Sequence, residues 1–442
     1  MKAVGRRSFA RKRLTAFAVF GVLGLALAAC GASPKGTSAP SPGATVAGNG
    51  TNSTSGQSAG GKEKIYVALT FSGNDWMSEG ANLALAVARA PQYAAKYDVK
   101  EIISGGDVQK EISDLQSMIS SGAKLIVTYP ASPTALDSVI TDACDHGVTV
   151  VTFDSAVQAP CAYNVASMTG AIPGQPKEAF FGAQNAGELA KLLNGKGNIF
   201  INHGAAGTTA DNVAVQSAKA TFAQYPGIKI VDEYYGNWDS SLSQQLTAKA
   251  LAAHPDVNGI WSEDGEVGVV KALQAAGKKI PVAGQGGNYF LKQLSTGWPG
   301  VASWSPPAQG GIAMKIGLKI LADGPNSVPH DIEMPLPWVT TQTAKLCANN
   351  AIVTGCNFFE GVTDTFEVGI FDPQLLPEGS VQAAKTGQGV TNITPLPDMT
   401  AYGQPPDRRS YTRGTCDTGW TKGMTAIDVG GVSISVPGCQ KS

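Results

Sequence analysis

Between residues 125 and 154 the chain reads LIVTYPASPTALDSVITDACDHGVTVVTFD. Two short runs rich in β-branched residues, Leu125–Tyr129 and Thr149–Phe153, flank a stretch in which Leu136, Val139, Ile140 and Ala143 recur at helical spacing. Ser132 followed by Pro133 suits an N-cap and a first-turn proline, and Gly147 supplies the stop. Strand, helix and strand in this order form a β-α-β unit, which belongs to a mainly parallel sheet.

The same grammar extends outward in both directions. Upstream, Ile65–Thr70 and Val99–Ile103 read as strands, and Asp107 precedes Val108, Ile112, Leu115 and Ile119 at helical spacing before Gly122. After about Ser167 the alternation restarts with a predicted helix over Lys177–Leu193, strand Asn198–Asn202, helix Thr209–Tyr225, strand Ile228–Tyr234 and helix Ser240–Ala253. Shorter repeats follow: strand Gly259–Ser262, helix Gly265–Ala276, strand Val282–Gln285, a helix near Tyr289–Ser295, strand Val301–Ser305 and helix Ala308–Leu321. The fold class is therefore α/β, with two similar Rossmann-like lobes. Beyond about Lys345 the periodicity fades into a Gly/Pro-rich extension containing four cysteines, which is expected to be rich in loops and tied by local bridges.

A length of 442 residues suits two lobes plus an appendage. With 33 basic against 34 acidic side chains the net charge is −1, so no global field draws the protein to nucleic acid, and partners must be recognised by shape. The basic residues Arg6, Arg7, Arg11, Lys12 and Arg13 precede an apolar run from Leu14 to Ala29, the pattern of an export signal. No later segment is long and apolar enough to span a membrane. That run ends Leu27-Ala28-Ala29-Cys30-Gly31, which resembles the lipobox of bacterial lipoproteins and implies acylation of Cys30; the alternative is a plain secretory signal. Arg6-Arg7-Ser8-Phe9 also resembles a twin-arginine signal, which leaves the export route open. Residues 1–29 are thus read as signal peptide and 30–63 as a tether too poor in large apolar residues to offset its ordering entropy.

Six further cysteines allow 15 pairings. They fall into couples close in sequence, so the expected bridges are Cys144 with Cys161, Cys347 with Cys356, and Cys416 with Cys439. There is no C-x-x-C, and His146, His203, His254 and His330 are scattered, so neither a metal nor a cofactor is expected.

Ligands of open α/β sheets bind outside the carboxyl ends of strands. After the first strand comes Phe71-Ser72-Gly73-Asn74-Asp75-Trp76-Met77, with an amide, a carboxylate and an indole in one loop. Sugars suit such a mixture, because their C–H faces pack on aromatic rings while their hydroxyls need polar partners. The plainer reading makes Trp76 a core aromatic and Asn74 a turn former.

On these residues the chain from about Lys64 to Gln342 resembles the ribose-binding-like, type I periplasmic binding proteins that serve sugar ABC transporters. The resemblance implies two lobes joined by a hinge, with residues 64–168 and 306–334 in the N-terminal lobe, 169–305 and 335–344 in the C-terminal lobe, and 345–442 as an extension. It carries ligand contacts onto Asn74, Trp76 and Asp75, and onto Asp154 in Thr152-Phe153-Asp154-Ser155, where serine replaces the family arginine. In the second lobe, Asn212 stands nearest to another family arginine, Trp238 matches a stacking aromatic, and Asp264 falls where relatives place an Asn-Asp pair. Gln285 takes the place of a family acid, and Trp304 and Ser305 fall where the family crosses between lobes. Asp154 and Asp264 could instead cap following helices; Trp238 could be buried scaffold, and Asn212 a solvated helix residue.

The reading that follows is an exported solute-binding lipoprotein, not an enzyme. It would be monomeric, held by lipid on Cys30 at the outer face of the cytoplasmic membrane, and would pass a carbohydrate-like molecule to an ABC permease. A sensor presenting its ligand-bound form to a membrane receptor has the same sequence signature. A secreted glycoside hydrolase using two carboxylates is the enzymatic alternative. The Gly-x-Ser-x-Gly at Gly56-Gln57-Ser58-Ala59-Gly60 lies in the Gly/Ser tether and not at a strand-to-helix elbow, and the sequence carries no His-Glu-x-x-His or Gly-Lys-Ser/Thr motif. No helix-turn-helix precedes the lobes, which argues against a nucleic-acid partner.

Overall fold

The computed structural model describes residues 61–130, 132–166, 181–334, 336–351, 355–369, 375–376, 379–402, 426–429 and 432–435. The export signal, Cys30, the tether up to residue 60, and the Cys416 and Cys439 couple lie outside them.

A first run comprises β1 (Glu63–Leu69), α1 (Asp75–Ala88), α2 (Pro91–Ala94), β2 (Tyr97–Ile103), α3 (Val108–Ser120), β3 (Ala123–Tyr129), α4 (Pro133–Asp145), β4 (Thr149–Phe153) and β5 (Tyr163–Ala166). A second run comprises α5 (Phe181–Leu192), β6 (Lys196–His203), α6 (Thr209–Ala223), β7 (Gly227–Tyr235), α7 (Ser240–Ala253), β8 (Gly259–Ser262), α8 (Glu266–Ala275), β9 (Val282–Gly284), α9 (Asn288–Ser295) and β10 (Gly300–Ala302). The chain then returns to the first run through α10 (Gln309–Asp323) and β11 (Asp331–Glu333), and back to the second through β12 (Val339–Thr340).

Two six-stranded sheets result, ordered β11-β5-β4-β3-β1-β2 and β12-β10-β9-β8-β6-β7. Every pairing in them is parallel except that of β12 with β10. Strands buried on both faces are mostly apolar. Ile65, Val67, Ala68 and Leu69 of β1 and Val150, Val151 and Phe153 of β4 supply that character, the buried Thr152 hydroxyl donates to Asn164 Oδ1, and the β-α-β reading of residues 125–154 holds. Asp107 caps α3 through hydrogen bonds from the amides of Gln109 (2.8 Å) and Lys110 (3.0 Å). Ser132 stands at the N-cap of α4 but makes no capping hydrogen bond through its side chain; Pro133 alone marks that start. Strands β5, β11 and β12, of four, three and two residues, add to the strands expected from sequence.

Helix α10 packs on β3 and β4 and crosses α1 backbone to backbone. A Cβ on Gly310 would fall 2.3 Å from the Gly80 carbonyl, so only glycine permits that approach. The described residues of the extension form α11 (Ser380–Thr386), which packs on α1, short 3-10 turns at Ala348–Asn350 and Met399–Tyr402, and a hairpin of β13 (Ala426–Val429) with β14 (Val432–Ser435). Disulfides join Cys144 to Cys161 and Cys347 to Cys356, the two expected couples that fall within the described residues. Among those residues no helix is long and apolar enough to cross a membrane.

Candidate functional site

Strand ends from both sheets converge on one cavity. Phe71, Asn74, Trp76 and Met77 enter from the β1–α1 turn, Tyr129 from the end of β3 and Asp154 from the end of β4. Opposite them stand Ala210 at the start of α6, Trp238 between β7 and α7, Glu263 and Asp264 between β8 and α8, and Gln285 after β9. Ser305 closes the ring where the chain passes from one sheet back to the other. The empty volume is about 380 Å³ including its open mouth.

Local structure fixes each side chain. Asn74 is the N-cap of α1 and accepts from the Met77 amide at 2.9 Å, so its Oδ1 is committed and its amide nitrogen is left to donate. The Trp76 indole donates to the Ser305 carbonyl at 2.7 Å and stacks on Phe153 at 6.2 Å and 19°. Phe71 and Trp238, one from each run of the chain, stack across the cleft at 5.9 Å and 8°.

Asp154 is 3% exposed. It accepts from the Ser305 hydroxyl, which in turn accepts from Gln309 Nε2 at 2.7 Å. Burial pushes its carboxyl up to about 6, with the Ser305 hydroxyl pulling against the rise. No helix follows Asp154, so it caps nothing. Asp264 does precede α8, but the N-cap position is Gly265, whose amide the Asp264 carboxylate accepts. Burial, and then the Glu266 charge, hold Asp264 well above the usual carboxylate range.

Backbone conformation is unusual at the same places. Asp154 (φ +65°), Asn237 (φ +55°) and Trp238 (φ +57°) lie in the left-handed region, at a cost of about 1–3 kcal/mol each. Strain of this kind persists where the surrounding structure over-determines the geometry. The Trp238 indole and the Glu263 carboxyl crowd against Gly204, where a Cβ would fall 2.0 Å from Trp238 Nε1 and 2.1 Å from Glu263 Oε2. Glu263 is held far above its ordinary pKa by burial and then by the Asp211 carboxylate, while the Trp238 indole lowers it. Asp211 itself accepts from the Gly204 amide at 2.9 Å.

Of the residues chosen from sequence, Asn74, Trp76, Asp154, Trp238, Asp264, Gln285 and Ser305 come together around this cavity. Three stand elsewhere. Asp75 accepts from the Thr365 hydroxyl of the extension, and Asn212 is exposed on α6, with Ala210 taking the lining position. Trp304 is fully buried against Gly286 and Gly369, where a Cβ would approach its ring to 2.1 and 2.4 Å. Phe71, Met77, Tyr129, Ala210 and Glu263 line the cavity without having been chosen. Phe71 and Met77 belong to the same loop as Asn74 and Trp76, and Glu263 is the neighbour of Asp264. Tyr129, ending β3, was legible only from its strand-terminal place.

A periplasmic binding protein domain model matches residues 65–325. The xylitol-binding protein of Mycolicibacterium smegmatis is 22% identical over 374 residues, covering 83% of this chain and 97% of the relative. The D-ribose/D-allose-binding protein of Pseudomonas aeruginosa is 27% identical over 246 residues, 53% of this chain and 73% of its own length. Among solved structures, an ABC transporter solute binding protein from Thermobispora bispora is 25% identical with a TM-score of 0.56, covering 76% of this chain and 100% of its own.

Proposed function

The chain belongs to the periplasmic binding protein domain family, and from that premise we propose that it captures a neutral, polyhydroxylated small molecule between its two sheets. The ligand is a sugar or sugar alcohol, delivered to an ABC importer. The carrying observation is the composition of the cavity wall. Four aromatic rings (Phe71, Trp76, Tyr129, Trp238) stand among acceptors from Asp154, Glu263, Asp264 and Gln285, and among the described residues no Lys or Arg lines it. Rings accept the C–H faces of a sugar, while carboxyls and amides pair with its hydroxyls. A phosphorylated or carboxylated ligand would meet buried acids without a compensating cation, at high cost.

Relatives named for xylitol and for ribose or allose support that ligand class. Cys30 would hold the protein by lipid at the outer face of the cytoplasmic membrane, as a monomer, with the tether giving the lobes reach to a permease. Asn74, Trp76, Asp154, Trp238, Asp264, Gln285 and Ser305 serve as ligand contacts in this reading, joined by Glu263. The residue ranges 64–168 with 306–334, and 169–305 with 335–344, serve as the two lobes, and the ligand leaves unaltered.

The test is a thermal-shift and calorimetric screen of the purified full chain against monosaccharides, polyols, sugar phosphates and amino acids. A neutral sugar or polyol at about a hundredfold excess over its Kd adds about 2.7 kcal/mol to the native state. That ligand should be recovered chemically intact, Asp154→Ala should weaken it at least tenfold, and its phosphate ester should not bind. Silence across the neutral panel from well-folded protein would overturn the reading, and conversion of a disaccharide would replace it with hydrolysis.

A further inference from the structure

Next to Asp264, carboxylates from three parts of the chain meet. Glu266 is the first residue of α8, Glu79 lies on α1, and Glu367 belongs to the extension. The Glu367 amide donates to both carboxylate oxygens of Glu79, at 3.1 and 2.9 Å. Glu266 Oε1 accepts from the Gly287 amide at 2.9 Å. The remaining oxygens are the notable ones: Glu266 Oε2 and Glu367 Oε2 have no hydrogen-bond partner, on residues 0% and 5% exposed.

Asp264, Glu266 and Glu367 each offer one oxygen, and these three atoms lie within 4.8 Å of one another. Two oxygens on one calcium ion, each about 2.4 Å from it, can stand at most about 4.8 Å apart, so the spacing fits one shared ion. None of the ion pairs among the described residues involves Glu79, Asp264, Glu266 or Glu367. Ionised carboxylates packed together without a cation repel strongly in a low-dielectric interior. Around a divalent ion, three of them leave a local charge of −1. The donors are all hard oxygens, with no imidazole or thiolate, which selects the calcium and magnesium class over zinc.

We propose that Asp264, Glu266 and Glu367 bind one hard divalent cation, of which calcium fits the spacing, and that this ion fastens the C-terminal extension to the β8–α8 turn. Glu79 positions Glu367 through its amide. Because Asp264 also lines the cavity, the ion holds one wall of the ligand site in place. The motif escapes sequence reading because its ligands are spread from residue 264 to residue 367 with no local spacing.

The experiment strips the purified full chain with chelator and then titrates calcium chloride without any sugar. Binding is followed by calorimetry and by the thermal midpoint, with magnesium and zinc as parallel arms. The expected result is about one calcium per chain, a rise in midpoint, and at least a tenfold loss of calcium affinity in both Glu367→Gln and Glu266→Gln, with the two variants still folded in chelator. Stripped protein that takes up neither calcium nor magnesium overturns the proposal. So does calcium uptake that both variants retain, which places the ion elsewhere, or a preference for zinc. No sugar enters these readouts, so their failure is separate from failure of the sugar reading.

Discussion

At Asp154 two costs coincide, a left-handed backbone and 3% exposure, and the Ser305 hydroxyl that donates to the carboxyl offsets part of the second. Burial raises its pKa from 3.8 to about 6. An acid with a higher pKa folded than unfolded favours the folded state when protonated. Its contribution is therefore full below pH 3.8 and is lost as the pH rises through about 6. The difference of about two pKa units corresponds to about 3 kcal/mol as a ceiling. Asp154→Asn keeps the shape and cannot ionise. Denaturant titrations without ligand should therefore show the variant gaining on the parent by up to about 3 kcal/mol between pH 4 and pH 7. Parallel curves for the two proteins would mean that this carboxyl is not penalised by burial. Asp154 was legible in sequence through the resemblance, which implies a ligand acid at the end of the fourth strand, and Thr152-Phe153-Asp154-Ser155 keeps that acid. The lining place of Glu263 and the buried place of Trp304 were not, since local sequence cannot tell which of two adjacent acids faces a cavity, or whether a tryptophan stands in its wall or beneath it.

Helices and strands were legible wherever a run was long enough to repeat its period, as in α3, α4, β1 and β4. The packing between them was not, because it depends on residues far apart in the chain. The crossing of α1 over α10 shows why: Gly80 and Gly310 look like weak helix residues, yet their lack of side chains is what lets two backbones touch. Gly310→Ala places a methyl 2.3 Å from the Gly80 carbonyl, which cannot rotate away. Overpacking of this kind costs about 1–3 kcal/mol, and since α1 carries Asn74 and Trp76 into the cavity, ligand affinity should fall with stability. Gly187 in α5 gives the opposite sign. A Cβ there meets only Thr221 Cγ2 at 3.8 Å, so Gly187→Ala should stabilise by about 0.4–1 kcal/mol. Chemical denaturation of the two variants beside the parent, with calorimetric Kd values, checks both; equal destabilisation would show that helical propensity and space do not govern these sites.

Across the whole molecule the extension is bonded to both sheet systems, a relation that periodicity cannot reveal because the segment has almost none. On the first run of the chain, Asn82 donates to the Ala384 carbonyl and Arg89 to the Gly387 carbonyl, each at 2.8 Å. On the second, Asn288 at the start of α9 donates to the Phe359 carbonyl at 3.0 Å and accepts from the Phe359 amide at 2.7 Å. A segment bonded to both sides favours whichever arrangement of the lobes satisfies both sets of bonds, and here that arrangement brings Phe71 onto Trp238. Asn288→Ala strands a buried amide and a buried carbonyl, each worth about 1–3 kcal/mol, without touching the cavity wall. If the extension ties the lobes together, the variant should bind its sugar about tenfold more weakly although every lining residue is intact. Its ligand-free form should also scatter X-rays with a larger radius of gyration than the parent's. A variant that loses stability while keeping the parental Kd and dimensions would show the extension to be a brace on one lobe, with no hold on the opening between them.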